Sequence, residues 1–177
     1  MEPAITFYGD QRGTAAIRGG LSSTEVTPLP GSGLPSVSLT VNGITIPALL
    51  DTGSPITVLN AAAARVAAIQ TVESFSDAAA NPLTRFAAGM KKAKAAASGD
   101  VLTIGGASGP VQLYRAQAGA AVSLGAVEFG DDCQPYVGEL PGLAAVEVLG
   151  TGPAAVLGTD LLRRRPRLIY TSNRVFL

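Results

Sequence analysis

The chain has no histidine, no tryptophan and a single cysteine, Cys133. Without histidine, Ser-His-Asp hydrolysis, Cys-His proteolysis and every His-ligated metal site are excluded. One cysteine cannot close an intrachain disulfide. Cys133 reads as a buried or idle thiol, with an intermolecular bridge as the alternative. Charge is also sparse. Only 15% of residues are charged, with thirteen of each sign, so neither nucleic acid nor an anionic membrane is expected as a partner. No apolar run reaches transmembrane length. Glu2, Asp10 and Arg12 stand where a signal peptide would need an apolar core, so none is visible. The compartment stays open. Aromatics make up only 5%, so the core must be built from Val, Leu, Ile and Ala.

What is present is a chain of 177 residues that is 47% apolar. That suits one domain with a real core, or one domain with an insertion, and argues against disorder. Residues 1–34 are rich in Gly, Ser, Thr and Pro and form an N-terminal arm with one or two strands, at 4–8 and 24–29. From Pro35 the signal sharpens. Ser36-Val37-Ser38-Leu39-Thr40-Val41 alternates polar and apolar, as a half-buried strand does. Asn42-Gly43 is a hairpin turn, and residues 44–50 return, with Pro47 marking an edge or bulge. That strand runs straight into Asp51-Thr52-Gly53-Ser54. A short strand follows at 57–59, and Asn60 can cap a helix at 61–69.

Residues 70–100 are Ala-rich, with Lys91, Lys92 and Lys94 on a solvated face, and read as a helical or irregular insertion. Strands at 101–104 and 111–114 flank the hairpin tip Gly105-Gly106-Ala107-Ser108-Gly109-Pro110. Further strands are expected at 121–124, 126–129, 146–149 and 154–157, with Asp131-Asp132 in a polar loop. Thr159 or Asp160 can cap a helix at 161–165, stopped by Pro166. Arg163, Arg164 and Arg165 would occupy its last turn, where cations are favourable. Terminal strands at 167–170 and 174–177 complete a mostly antiparallel β chain without internal repeats.

Chemistry concentrates at Leu49-Leu50-Asp51-Thr52-Gly53-Ser54. Two apolar strand residues deliver a carboxylate into a tight turn, and such an Asp is costly unless hydrogen-bonded or used. Thr52 and Ser54 offer hydroxyls, and Gly53 lets backbone N–H groups approach the carboxylate. Alone, the triplet is also compatible with an ordinary β-turn. A second segment, Ala154-Ala155-Val156-Leu157-Gly158-Thr159-Asp160-Leu161-Leu162, is an apolar strand ending in Gly and followed by a helix.

With both segments, the chain resembles the retropepsin-like aspartic peptidases over roughly 35–69 and 101–177. Members pair an apolar-apolar-Asp-Thr-Gly-Ser/Ala strand with a later apolar-apolar-Gly strand that packs behind the catalytic loop. The resemblance implies a mostly β, closed, antiparallel acid-protease lobe with short helices and a partly helical insertion near 70–100. It places the peptidase domain at 35–177, with Asp51, Thr52, Gly53 and Ser54 as the catalytic loop. Gly105, Gly106, Ala107, Ser108 and Gly109 become a substrate-covering flap. The Asp51-to-Gly158 spacing exceeds that of viral members, and Thr159 stands where they typically carry Arg. No specific side chain can be assigned to the flap.

Aspartic peptidase chemistry needs two carboxylates, which share a proton. This chain has one Asp-Thr-Gly. The implied enzyme is therefore a homodimeric aspartic endopeptidase acting on a peptide or protein, with Asp51 from each copy and neither metal nor cofactor. Two other readings stay open. One is a catalytically silent lobe used for dimerisation or peptide binding. The other is an unrelated β-barrel or sandwich with a chance turn, which would be a monomer with an exposed Asp51.

Overall fold

Alternation along Val37, Leu39 and Val41 puts three aliphatic side chains on one face of β4 (Pro35–Val41), and all three are buried. The partner strand β5 (Ile44–Leu50) turns Ile46, Ala48 and Leu50 to the same side. Their register, Val37 opposite Ala48 and Leu39 opposite Ile46, stacks apolar pairs across the antiparallel ladder. Asn42 and Gly43 make the turn, both with positive φ (49° and 80°), as a two-residue hairpin of this hand requires. Asn42 also donates through Nδ2 to the Ala67 carbonyl and accepts from the Ala121 N–H. Complete burial of Leu39, Ile46 and Leu59 contributes roughly 1.5–3 kcal/mol each. Leu39→Ala would cost about 2–5 kcal/mol.

The computed structural model describes residues 4–7, 20–71, 97–106, 109–140, 152–171 and 173–177. Besides β4 and β5, the strands are β1 (Ala4–Phe7), β2 (Ser23–Glu25), β3 (Thr27–Pro28), β6 (Val58–Leu59), β7 (Val101–Gly106) and β8 (Gly109–Arg115). Then follow β9 (Ala120–Leu124), β10 (Val127–Cys133), β11 (Tyr136–Val137), β12 (Ala155–Leu157), β13 (Arg167–Tyr170) and β14 (Arg174–Phe176). Two short helices are α1 (Ala61–Val66) and α2 (Thr159–Leu162). The larger sheet runs β10-β9-β4-β5-β12-β6-β11-β8-β7, with β3 on β4, and the smaller runs β1-β13-β14-β2.

This is the mostly β class read from the sequence. The sheets are mixed rather than purely antiparallel, because β5–β12, β6–β11 and β1–β13 pair in parallel. The β12 strand slots between β5 and β6, which is the arrangement the resemblance implies behind the Asp51 loop. Its pairing with β5 begins at Ala48, so Pro47, which cannot donate, lies just beyond the ladder on that side. The arm is tied in by β3 on β4 and by β2 on β14.

Three local readings change. Asp131 and Asp132 sit in β10 rather than in a loop. The strand tolerates them through register shifts around Gly130 and Cys133, and Arg164 neutralises Asp132 at 2.5 Å. The second helix starts at Thr159, so the cap position falls on Gly158, which has no side chain to bond the first turn, and Asp160 lies inside the helix with its carboxylate shared between Thr57 and the Leu161 N–H. The three arginines follow that helix instead of ending it. Arg164 donates to the Phe129 carbonyl and Arg165 to the Glu128 carbonyl. The expected strand at 146–149, Lys91, Lys92, Lys94 and most of the 70–100 insertion lie outside the described residues. Cys133 is fully buried, and that burial pushes its thiol pKa up. Among the described residues, no helix is long and apolar enough to cross a membrane.

Candidate active site

The strand β5 ends at Leu50, which is buried, and the chain emerges at Asp51, which is half-buried. Thr52 and Gly53 form an exposed turn, and Ser54 is half-buried again. The turn closes on itself. The Gly53 N–H donates to Asp51 Oδ1 at 2.8 Å, and the Ser54 N–H donates to the Asp51 carbonyl at 3.3 Å. A side chain at residue 53 would start 3.1 Å from Asp51 Oδ1, so glycine keeps that approach open. Among the described residues no donor reaches Oδ2. The Ser54 hydroxyl is turned inward to the Ile56 carbonyl at 2.7 Å.

Behind the turn stands the segment 157–160. The Asp51 N–H donates to the Leu157 carbonyl at 3.1 Å. The Ser54 carbonyl accepts twice from Thr159, from its N–H at 2.9 Å and its hydroxyl at 3.1 Å. Gly158 is in contact with backbone, since a Cβ there would sit 2.3 Å from the Ile56 carbonyl oxygen. Only glycine permits that approach. Thr57, 1% exposed, gives its N–H to Asp160 Oδ2 at 2.9 Å and its hydroxyl to Asp160 Oδ1 at 2.7 Å. The same hydroxyl accepts from the Gly158 N–H at 3.1 Å.

Asn60 completes the frame one strand later. Its Oδ1 caps α1 through the Ala63 N–H, as the sequence indicated, and also accepts from the Ala154 N–H. Its Nδ2 donates to the Gly152 carbonyl. These bonds join the start of α1 to the approach of β12.

The expected flap is a two-stranded ribbon. In the β7–β8 ladder Gly105 pairs with Pro110 and Gly106 with Gly109. Ala107 and Ser108 lie outside the described residues. Among the described residues the ribbon pairs with the rest of the sheet through the base of β8, where Tyr114 and Arg115 pair with β11. Beneath it, Val58, Leu113 and Tyr136 form a small core with Ile56, Ile104 and Val111 packed on it. Asp51, Thr52, Gly53 and Ser54 are thus brought together, while the glycines of the ribbon belong to a separate element of the same sheet.

Sequence reasoning missed Thr57 and Asp160, taking the latter only as a helix cap. It also missed the two-residue strand β11. A groove of about 550 Å³ lies across β4, β9 and β10, with Glu128 and Asp131 on its rim, and no residue of the Asp51 turn lines it. Among the described residues, no three His, Cys, Asp or Glu side chains converge as metal ligands.

No protein-family model matches the chain, and no curated protein does. Among solved structures it is similar to the EIAV protease complexed with the inhibitor HBY-793, at 15% identity and a TM-score of 0.45, over 77% of this chain and 91% of that one. It is also similar to a retropepsin-like aspartic protease from Rickettsia conorii, at 16% identity and a TM-score of 0.46, over 89% of this chain and 98% of that one.

Proposed function

We propose that the chain is an aspartic endopeptidase whose active form is a homodimer, each copy contributing Asp51. The observation that carries this reading is the Asp51 turn itself. A carboxylate stands at the end of a buried strand with one oxygen held by a backbone N–H and the other free of donors among the described residues. That leaves Oδ2 available for water or for a second carboxylate. Asp100, Asp132 and Asp160 are each engaged by other donors, Asp131 lies on β10 beside a groove that no residue of the Asp51 turn lines, and the sequence holds no second Asp-Thr-Gly. The second carboxylate then comes from a copy related by a twofold axis between the two Asp51 side chains.

In that pair one proton is shared, because two adjacent carboxylates resist ionising together. The ionised Asp51 takes a proton from water, which attacks the scissile carbonyl. The protonated Asp51 polarises that carbonyl, and a proton is later delivered to the departing nitrogen. In this reading Thr52 bonds across the dimer, which its exposure in the single chain allows. The ribbon from Gly105 to Pro110 closes over the bound peptide and excludes water. The test uses a library of fluorogenic peptides. Wild-type protein is expected to cleave members of it, with specific activity falling on dilution below the dimer dissociation constant. Cleavage that survives Asp51→Asn, or activity per chain that is independent of dilution, would overturn the reading.

A further inference from the structure

The segment 157–160 grips the loop 51–57 at three points, and the last grip is made by a side chain. Leu157 holds Asp51 and Thr159 holds Ser54, in both cases at a backbone atom of the loop. Asp160 holds Thr57 at both its N–H and its hydroxyl. The Leu161 N–H donates to the same carboxylate, at 2.9 Å from Oδ1. Three donors therefore converge on two oxygens, a demand that an ionised carboxylate meets and an amide does not. The Thr57 hydroxyl is oriented by this. Because it gives its proton to Asp160, its lone pairs face the Gly158 N–H. That joins the far end of the loop to the start of α2.

Asp160 is itself exposed, so its replacement removes no core packing. Two of its three bonds leave α2 and cross 103 positions of sequence, while the third, from the Leu161 N–H, lies within the helix. The loop leaves β5 at one end and enters β6 at the other. Asp51 is fixed at the first end through Leu157. Without Asp160 the second end keeps the Tyr136 N–H on the Thr57 carbonyl and the pairing of Val58 in β6, but the Thr57 N–H and hydroxyl lose the carboxylate that ties them to α2.

We propose that Asp160 is a positioning residue for Asp51, acting through Thr57 and Gly158 to set where the carboxylate stands. This rests on the reading of Asp51 as the catalytic carboxylate. Misplacement of a reacting group by about 1 Å can cost on the order of 10²-fold in rate, so a small shift of the loop suffices.

The experiment takes the full chain as wild type, Asp51→Asn, Asp160→Asn, Asp160→Ala, Thr57→Val and the double variant Thr57→Val/Asp160→Asn. Wild type and Asp51→Asn come first, and they test the parent reading separately. With that reading intact, Asp160→Asn and Asp160→Ala are expected to lower kcat by roughly 10–100-fold with KM within about twofold, in protein that stays folded at the assay temperature although its melting temperature falls by a few degrees, since the buried Thr57 donors lose their acceptor. The double variant should be no worse than its more impaired single variant, because both remove one linkage. An unchanged kcat in folded Asp160→Asn would overturn the proposal, as would losses that merely track the fraction unfolded. Should the parent reading fail, backbone amide exchange at Gly53 and Ser54 decides instead. Faster exchange in Asp160→Asn supports the linkage, and unchanged exchange overturns it.

Discussion

The Asp51 turn and the β7–β8 ribbon are both short, glycine-containing connections on one sheet, yet they are held in opposite ways. The turn is bonded to itself and then gripped by the segment 157–160 at Asp51, Ser54 and Thr57. The ribbon is held by its own ladder, by two residues of β11 at its base and by the packing of Ile104, Val111 and Leu113 on Val58 and Tyr136. Beyond Ile104 and Val111, Gly105 and Gly109 have no side chain to pack, and a two-stranded ribbon without such support is only marginally stable in water. The proposed chemistry needs both properties. A reacting carboxylate must be pre-positioned, whereas a cover must open for substrate and close over it.

The largest effect is expected at Asp51. Asp51→Asn is expected to keep the fold and to lower peptide hydrolysis by at least ~10²–10⁴-fold, the usual range for loss of an acid–base group, measured as kcat beside an unchanged circular dichroism spectrum. Gly158→Ala comes next. The added Cβ would collide with the carbonyl group of Ile56, which is backbone and cannot swing away. Overpacking of this kind costs about 1–3 kcal/mol, read from urea unfolding, and it should also depress kcat because the grip on the loop is displaced.

Both positions were visible in the sequence, though not for the same reason. The alternation along β4, the Asn42-Gly43 turn and the Asn60 cap are legible because each depends on residues within a few positions of one another. The Asp51 and Gly158 segments are legible because each joins an apolar run to a special turn. The Thr57–Asp160 bond leaves no such trace. It spans 103 positions, and nothing periodic or compositional pairs a threonine with so distant an aspartate. Asp131-Asp132 misled for the converse reason. Two adjacent acids look like a solvated loop, and only the later Arg164 and the irregular register of β10 make them compatible with a strand.

In the ribbon, Gly105 is under no constraint of the kind that acts at Gly158. A Cβ at Gly105 would meet nothing within 4 Å, and its φ lies outside the left-handed region. Gly105→Ala should therefore leave stability unchanged or raise it by about 0.4–1 kcal/mol, through a less flexible unfolded chain. If the ribbon must move, the same change should alter kcat or KM by a few-fold, read in steady-state kinetics. A Gly105→Ala variant with wild-type kinetics and a Gly158→Ala variant with wild-type stability would together erase the distinction between the two regions.

The smallest effect is expected where the grip on the loop ends. Beyond α2, Arg164 pairs with Asp132 on β10, and the guanidinium holds the Asp132 carboxyl below the ordinary carboxylate range, chiefly by hydrogen bonding. A carboxyl with a depressed folded-state pKa contributes stability above its unfolded value of about 3.9, and the contribution is lost as pH falls through the lower folded value. Asp132→Asn should therefore flatten the dependence of melting temperature on pH below about pH 4. At neutral pH it should lower the melting temperature only slightly, less still in high salt, because the pair faces solvent. Since Asp132 makes its hydrogen bond and ion pair to Arg164 and none to residues 51–57, peptide hydrolysis should be unaffected. A drop in kcat without unfolding would mean that the rigid region extends through Arg164 to β10, and the contrast with the ribbon would then be one between the ribbon and a much larger part of the lobe.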